Sequence, residues 1–147
     1  MEIRIINATE TLPLRSAVLR PGRPLAAAQF TGDKLPTTKH FGAFRDGQLL
    51  GIASIFLAEM PEHTGLAALQ LRGMATAPEV RGAGFGRALV VACVAIAREN
   101  GAEILWCNAR IPAVGFYQKL SWEIIGEEFD IPDVGPHFRM WRPLTGQ

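Results

Sequence analysis

Between Thr76 and Arg87 the chain reads TAPEVRGAGFGR, and no other stretch restricts the fold so closely. Gly82, Gly84 and Gly86 stand between an apolar run that ends at Thr76 and another that begins at Leu89. The first run, Leu66 to Thr76, reads as a strand. The second, Gly86 to Asn100, reads as a helix with Leu89, Val90, Cys93, Val94 and Ala97 as its apolar positions and Gly101 as its cap. Closely spaced glycines let successive backbone N–H groups turn toward one point, and a helix starting there adds unpaired donors and partial positive charge. Such a join binds an anion, and Arg81 and Arg87 bracket it with guanidinium groups that match phosphate oxygens. The plainer reading of the same glycines is a flexible strand-to-helix turn.

Two familiar phosphate loops fail on spacing. A P-loop needs glycine, four residues and then Gly-Lys-Ser/Thr, a string the chain lacks. A dinucleotide-binding GxGxxG needs glycine at 87 or 89, where Arg87 and Leu89 stand, and the acidic Glu103 would begin its strand instead of ending it. Nucleoside triphosphate hydrolysis and NAD binding lose their support, and Arg81-x-x-Gly84-x-Gly86 remains.

The flanking sequence supplies a sheet. Glu2 to Ile6 alternates as a short strand, and Thr9 to Arg20 follows as a helix capped by Asn7 or Thr9 and ended by Pro21-Gly-Arg-Pro24. Residues 25–37 show no period and read as a loop with at most a helical turn. Lys39 to Arg45 and Gln48 to Ala58 are strands joined by Asp46-Gly47, a pair that favours a type I′ hairpin. Beyond the polar turn Pro61 to Gly65 and the glycine loop, Glu103 to Asn108 is an almost unbroken apolar run, as in a strand covered on both faces. Pro112 opens a short helix to Leu120, and Trp122 to Phe129 and His137 to Leu144 close the chain as strands joined by Asp130 to Pro136. This order predicts one α+β or mixed α/β domain, residues 1–147, on one central sheet.

In that setting Arg81-x-x-Gly84-x-Gly86, with Pro78 before it, resembles the pyrophosphate-binding signature of the GNAT superfamily of acetyl-coenzyme A-dependent N-acetyltransferases. The later segment, Asn108 and then AVGFYQKLSW from Ala113 to Trp122, is similar to the family's second half, where an asparagine at a strand end precedes a helix with a Phe-Tyr pair and a Leu-Gly-Phe-like turn. The likeness runs from Leu66 to Trp122; the N-terminal half matches only in the order of its elements. Ser121 departs from the pattern, standing where the family usually has glycine. The tail around Phe129 to His137, with Met140, is similar to a branch whose acceptors no motif names.

The resemblance implies a GNAT-like α/β (α+β) domain with a mixed, mostly antiparallel sheet of about six or seven strands, splayed between its two middle strands and flanked by about four helices. It implies acetyl-CoA as co-substrate, with the pyrophosphate on Arg81, Gly82, Ala83, Gly84, Phe85, Gly86 and Arg87. The backbone of Met74, Ala75 and Thr76 would bond the pantetheine arm as a neighbouring strand does, and the Met74 N–H region would polarise the thioester carbonyl. Asn108, Phe116 and Tyr117 would complete the cofactor contacts, with Tyr117 as the acid that protonates the departing thiolate. The implied reaction is direct attack on that thioester by a primary amine of a small molecule or peptide. Retention of the same fold as a non-catalytic acetyl-CoA sensor is the competing reading, and transfer of a longer acyl chain, or to oxygen, is a third.

Composition narrows the partners. Fifteen basic against fourteen acidic residues leave a net charge of +1, with none of the basic excess that a nucleic-acid binder needs. The start MEIRII has no apolar run of signal-peptide length, and the uncharged stretch Ala88 to Ala97 is about half of a bilayer crossing, so a cytoplasmic protein without a membrane partner is expected. Cys93 and Cys107 lie in apolar runs as buried free thiols, and no ligand spacing supports a metal. A homodimer is compatible with so small a domain but required by no residue. His40, Glu59, His63, Glu128 and His137 are the candidate bases, and Gln70 and Arg72 share a strand face with Met74.

Overall fold

The computed structural model describes residues 1–144. Strand β1 (Glu2–Ile6) pairs antiparallel with β2 (Lys39–Arg45), from Glu2 opposite Phe44 to Ile6 opposite His40. β2 turns into β3 (Gln48–Leu57) through Asp46 and Gly47, whose φ values of 52° and 79° are both positive as a type I′ turn requires.

Helix α1 (Ala8–Leu14) begins with a capping box. The Asn7 side chain accepts the Glu10 N–H at 2.9 Å, and the Glu10 carboxylate accepts the Asn7 N–H at 2.9 Å, which makes Asn7 the cap and not Thr9. Pro13 inside this helix lacks a backbone N–H. The chain then widens into a π turn, Arg15–Leu19, closed by the Arg20 N–H on the Arg15 oxygen at 3.1 Å. The continuous helix expected from Thr9 to Arg20 is therefore a short helix and one wide turn.

Two further α-helices are present, α2 (Phe85–Glu99) and α3 (Val114–Gln118), fewer in total among the described residues than expected. The shortfall has two local causes. Residues 25–37 form no more than the 3₁₀ turn Leu25–Ala28, and Pro112 lies in a separate 3₁₀ turn, Ile111–Ala113, ahead of α3. α2 keeps its expected buried face, Leu89, Val90, Cys93, Val94 and Ala97. It ends at Gly101, φ 78°, with the Ala102 N–H reaching back to the Ala97 oxygen at 3.0 Å.

The remaining strands are β4 (Ala68–Thr76), β5 (Ile104–Arg110), β6 (Glu123–Ile131) and β7 (Gly135–Pro143), and the seven follow the order β1-β2-β3-β4-β5-β7-β6. β4 and β5 are parallel, with Ala68–Gln70 opposite Ile104–Trp106, while β5 with β7 and β6 with β7 are antiparallel. The β6–β7 turn is tighter than expected, because Asp133 takes φ 65° and closes it between Ile131 and Gly135.

Residue contacts divide the chain into two compact units: Met1–Leu57 with Leu71–Ile96, and Ala58–Gln70 with the chain from Ala97 onward. In the first, Ile6, Phe44, Ile52 and Ala75 form an apolar cluster joined by Leu14, Val18, Leu19 and Leu49. In the second, Met60, Ala68, Ile104 and Trp106 do the same with Ala58, Leu66, Ile125 and Trp141.

Candidate active site

The loop leaving β4 lies in the first unit. The Ala77 N–H is fixed to the Leu50 oxygen of β3 at 2.8 Å, and a 3₁₀ turn, Pro78–Val80, delivers the chain to Arg81. Gly82 and Gly84 take φ values of 79° and 87°, which only glycine adopts cheaply, and a Cβ at either would meet nothing within 4 Å. The cradle is thus open above its backbone. The first bond of α2 runs from the Ala88 N–H to the Gly84 oxygen at 3.0 Å, so the amides of Phe85, Gly86 and Arg87 enter the helix without an acceptor inside it. Arg81, Gly82, Ala83, Gly84 and Arg87 are exposed, whereas the Phe85 ring is buried and anchors the loop. Exposed cations beside convergent amide donors suit a phosphorylated ligand.

Upstream, Met74 and Thr76 are half-buried and Ala75 is buried. Just before them Gly73 takes φ 64°, a local break in the extended backbone of β4. A Cβ there would stand 2.9 Å from the Arg15 Nε, so a buried arginine packs directly on this backbone.

That arginine belongs to a polar cluster inside the first unit. Arg15 is wholly buried and donates to Asp33 through both Nη atoms at 2.6 and 3.1 Å, to the Ala28 oxygen at 3.1 Å and to Ser54 Oγ at 3.1 Å. Arg72 donates to the Thr31 oxygen and lies 3.4 Å from Asp33 Oδ1. Burial alone would raise the Asp33 pKa, but the Arg15 hydrogen bond, the Phe30 amide at 2.9 Å and the charges of Arg15 and Arg72 outweigh it and hold the pKa below its ordinary 3.8. Burial lowers the pKa of Arg72, with Asp33 opposing and Arg15 adding to the effect. His40 is consumed by the same cluster, with Nδ1 2.6 Å from Ser54 Oγ and Nε2 2.7 Å from the Asp33 oxygen. Both ring nitrogens are engaged, which removes it from the candidate bases. Only the i+4 spacing of Arg15 from the buried Thr11 signals the cluster in sequence, since a lone arginine on a buried face demands a carboxylate.

Asn108, Phe116 and Tyr117 fall in the second unit. The Tyr117 ring is buried between Phe116, edge-on at 5.1 Å, and Trp122, tilted at 5.1 Å. Burial pushes the Cys107 thiol far up its scale, and a Tyr117 hydrogen bond opposes this only in part; burial raises Cys93 likewise. Neither cysteine can act as a thiolate nucleophile. Asn108 Oδ1 accepts from Arg139 Nε at 3.3 Å, and Arg139 Nη1 reaches Glu62 at 2.8 Å. Among the other candidate bases, His137 is buried with Nδ1 2.7 Å from the Gly135 oxygen, His63 stacks on Trp141 at 4.5 Å, and Glu59 and Glu128 are exposed. Among the described residues no group of His, Cys, Asp and Glu could hold a metal ion, and no helix is long and apolar enough to cross a membrane.

Residues 9–122, a span that contains this loop, match the model of the acetyltransferase (GNAT) family. The chain belongs to the GNAT family. It is accordingly an acyltransferase of the N-acetyltransferase kind. This GNAT chain is 35% identical over 144 residues to a Bacillus subtilis (strain 168) protein described as the uncharacterized N-acetyltransferase YitI, covering 98% of the chain and 97% of the relative. Among solved structures it resembles an aminoglycoside 6'-N-acetyltransferase complexed with coenzyme A, at a TM-score of 0.80 and 13% identity over 100% of this chain and 99% of that one. Escherichia coli ElaA is similar at a TM-score of 0.76 and 17% identity, over 96% of this chain and 98% of that one. At such identities these two share the GNAT fold with it.

Proposed function

We propose that the chain transfers the acetyl group of acetyl-CoA to a primary amine of a small molecule or peptide by direct attack of the amine on the thioester. The open cradle carries this reading: left-handed Gly82 and Gly84, unpaired amides at the start of α2, and the guanidinium groups of Arg81 and Arg87. These residues hold the cofactor's pyrophosphate. The pantetheine arm lies along Met74, Ala75 and Thr76, in the part of β4 past its three-residue register with β5, where the family's sheet is splayed. Coenzyme A bound to the aminoglycoside acetyltransferase of the same fold supports this assignment.

Placing the amine against the thioester removes roughly 7 to 11 kcal/mol of barrier, against about 3 to 4 kcal/mol from one donor to the carbonyl oxygen, assigned to the Met74 N–H. Alignment by the cradle and strand thus outweighs any single side chain. The amine nitrogen forms a bond to the carbonyl carbon, the carbon–sulfur bond breaks, and the thiolate takes a proton from Tyr117. A lysine-like amine is only about 0.04% neutral at pH 7, a cost of about 4.6 kcal/mol, so its proton must be removed. With His40 engaged, the bases left are Glu59, His63, Glu128 and Nε2 of His137.

The test is release of free thiol from acetyl-CoA across an amine panel, with the product's mass increase read by mass spectrometry. An acetyl increment on at least one amine is expected; cofactor binding without thiol release on any amine would favour a sensor. In the same assay Tyr117→Phe should lower kcat by about 100-fold with little change in coenzyme A affinity. Equal losses of both would remove the acid role.

A further inference from the structure

The β2–β3 hairpin reaches the phosphate loop within the first unit. Its outgoing strand is fixed there at two points. The Leu50 oxygen accepts the Ala77 N–H at 2.8 Å, and a Cβ on Gly51 would stand 3.1 Å from Leu89 Cδ1 and 3.5 Å from Thr76 Cγ2. β3, the end of β4 and α2 are therefore in close contact beside the loop. At the hairpin Arg45 is opposite Gln48, and its guanidinium carbon lies 5.9 Å from the centroid of the Phe85 ring. Phe85 is the loop residue whose ring is buried and whose amide is one of the donors left open at the start of α2. A third arginine thus flanks the loop that Arg81 and Arg87 bracket.

Arg45, Arg81 and Arg87 are exposed, and among the described residues none of the three makes an ion pair or a side-chain hydrogen bond. Asp46 and Glu79, the acids beside these segments in sequence, are exposed and are not paired with them. The buried Arg15 and the half-buried Arg72 share Asp33 instead, and Arg139 holds Glu62. At 5.9 Å the ring contact of Arg45 is at the outer reach of a cation–π interaction, roughly 6 Å. It orients the guanidinium and leaves the N–H donors uncommitted.

Coenzyme A carries a further phosphate besides its diphosphate, a monoester on the ribose 3′ oxygen. The guanidinium groups of Arg81 and Arg87 match the diphosphate, one for each phosphate. They leave the monoester, with a charge of about −1.5 to −2 near pH 7, without a cation. We infer that Arg45 binds this 3′-phosphate, so that the protein selects coenzyme A over its 3′-dephospho form. The inference rests on the coenzyme A reading of the loop and adds to it a residue outside the glycine segment. If Arg45 only covered the Phe85 ring, its loss would weaken both ligands alike or neither.

The test is calorimetric titration of coenzyme A and of 3′-dephospho-coenzyme A, at one low salt concentration, into the parent, Arg45→Gln, Arg45→Lys and Arg23→Gln. Arg23 is an exposed arginine elsewhere in the first unit and controls for net charge. The parent should bind coenzyme A more tightly than the dephospho form by about tenfold or more, as charge-assisted hydrogen bonds do. Arg45→Gln should lose most of that preference, with its affinity for the dephospho form within about twofold of the parent's. Arg45→Lys should keep part of the preference, since it retains the charge without the planar fork, and Arg23→Gln should keep all of it. Equal affinity of the parent for the two ligands would overturn the inference and leave the diphosphate reading standing. So would an Arg45→Gln protein that keeps the preference or loses both affinities alike. The same loss of preference in Arg23→Gln would assign the effect to net charge and overturn the inference as well. Absence of binding of either ligand to the parent would overturn both readings.

Discussion

Ser121 shows how one side chain can carry a measurable cost. It occupies φ 72° just past α3, where the Trp122 N–H returns to the Tyr117 oxygen at 3.1 Å, the six-to-one bond of a helix end that normally selects glycine. Ser121→Gly should therefore raise stability by about 1 kcal/mol, read as a shift in the denaturant midpoint at unchanged slope. No gain would mean that the serine has found compensation at this turn. Gly73 is the opposite case, since its φ of 64° is strained for any side chain and its missing Cβ is space taken by Arg15 Nε. Gly73→Ala should cost stability and, by displacing Met74, lower kcat more than it weakens coenzyme A binding. Steady-state kinetics beside calorimetry separates the two effects.

At the scale of elements, legibility followed the range of the interactions. The β2–β3 hairpin and the loop from β4 into α2 were readable because Asp46-Gly47 and Gly82-x-Gly84 impose their backbone angles through their own missing or short side chains. The end of α2 at Gly101 was readable for the same reason. The π turn after α1 was not, since Pro13 signals a disturbed helix without saying how the chain resumes, and the buried cluster that follows joins Arg15 to Asp33 and Ser54 across 18 and 39 residues. Periodicity carries no information on such partners. His40 lies in the expected strand, but its ring is held by groups from β3 and from the segment before β2, which strand periodicity does not report. Arg15→Met should lose about 3 to 5 kcal/mol in equilibrium unfolding, because Asp33 would be left as a buried carboxylate short of its main partner.

Over the whole molecule, the same ion pairs set a pH dependence. The Asp33 pKa is lowered in the folded state, so its contribution is fully present above the ordinary aspartate value of 3.8 and is lost as pH falls through the folded value. Asp33→Asn should be less stable than the parent at pH 7, and the gap should close on acidification below pH 3.8. A gap that persisted unchanged would assign the loss to packing and not to charge.

If backbone amides and two arginines of the β4–α2 loop grip the pyrophosphate of acetyl-CoA, calorimetric titration of coenzyme A into the parent chain and into Arg81→Glu will separate the two proteins. Binding to the parent should be saturable, weakened by about tenfold or more on charge reversal and increasingly weak as salt is raised. Absence of binding, or equal affinity of the two proteins, would mean that this loop does not hold the pyrophosphate.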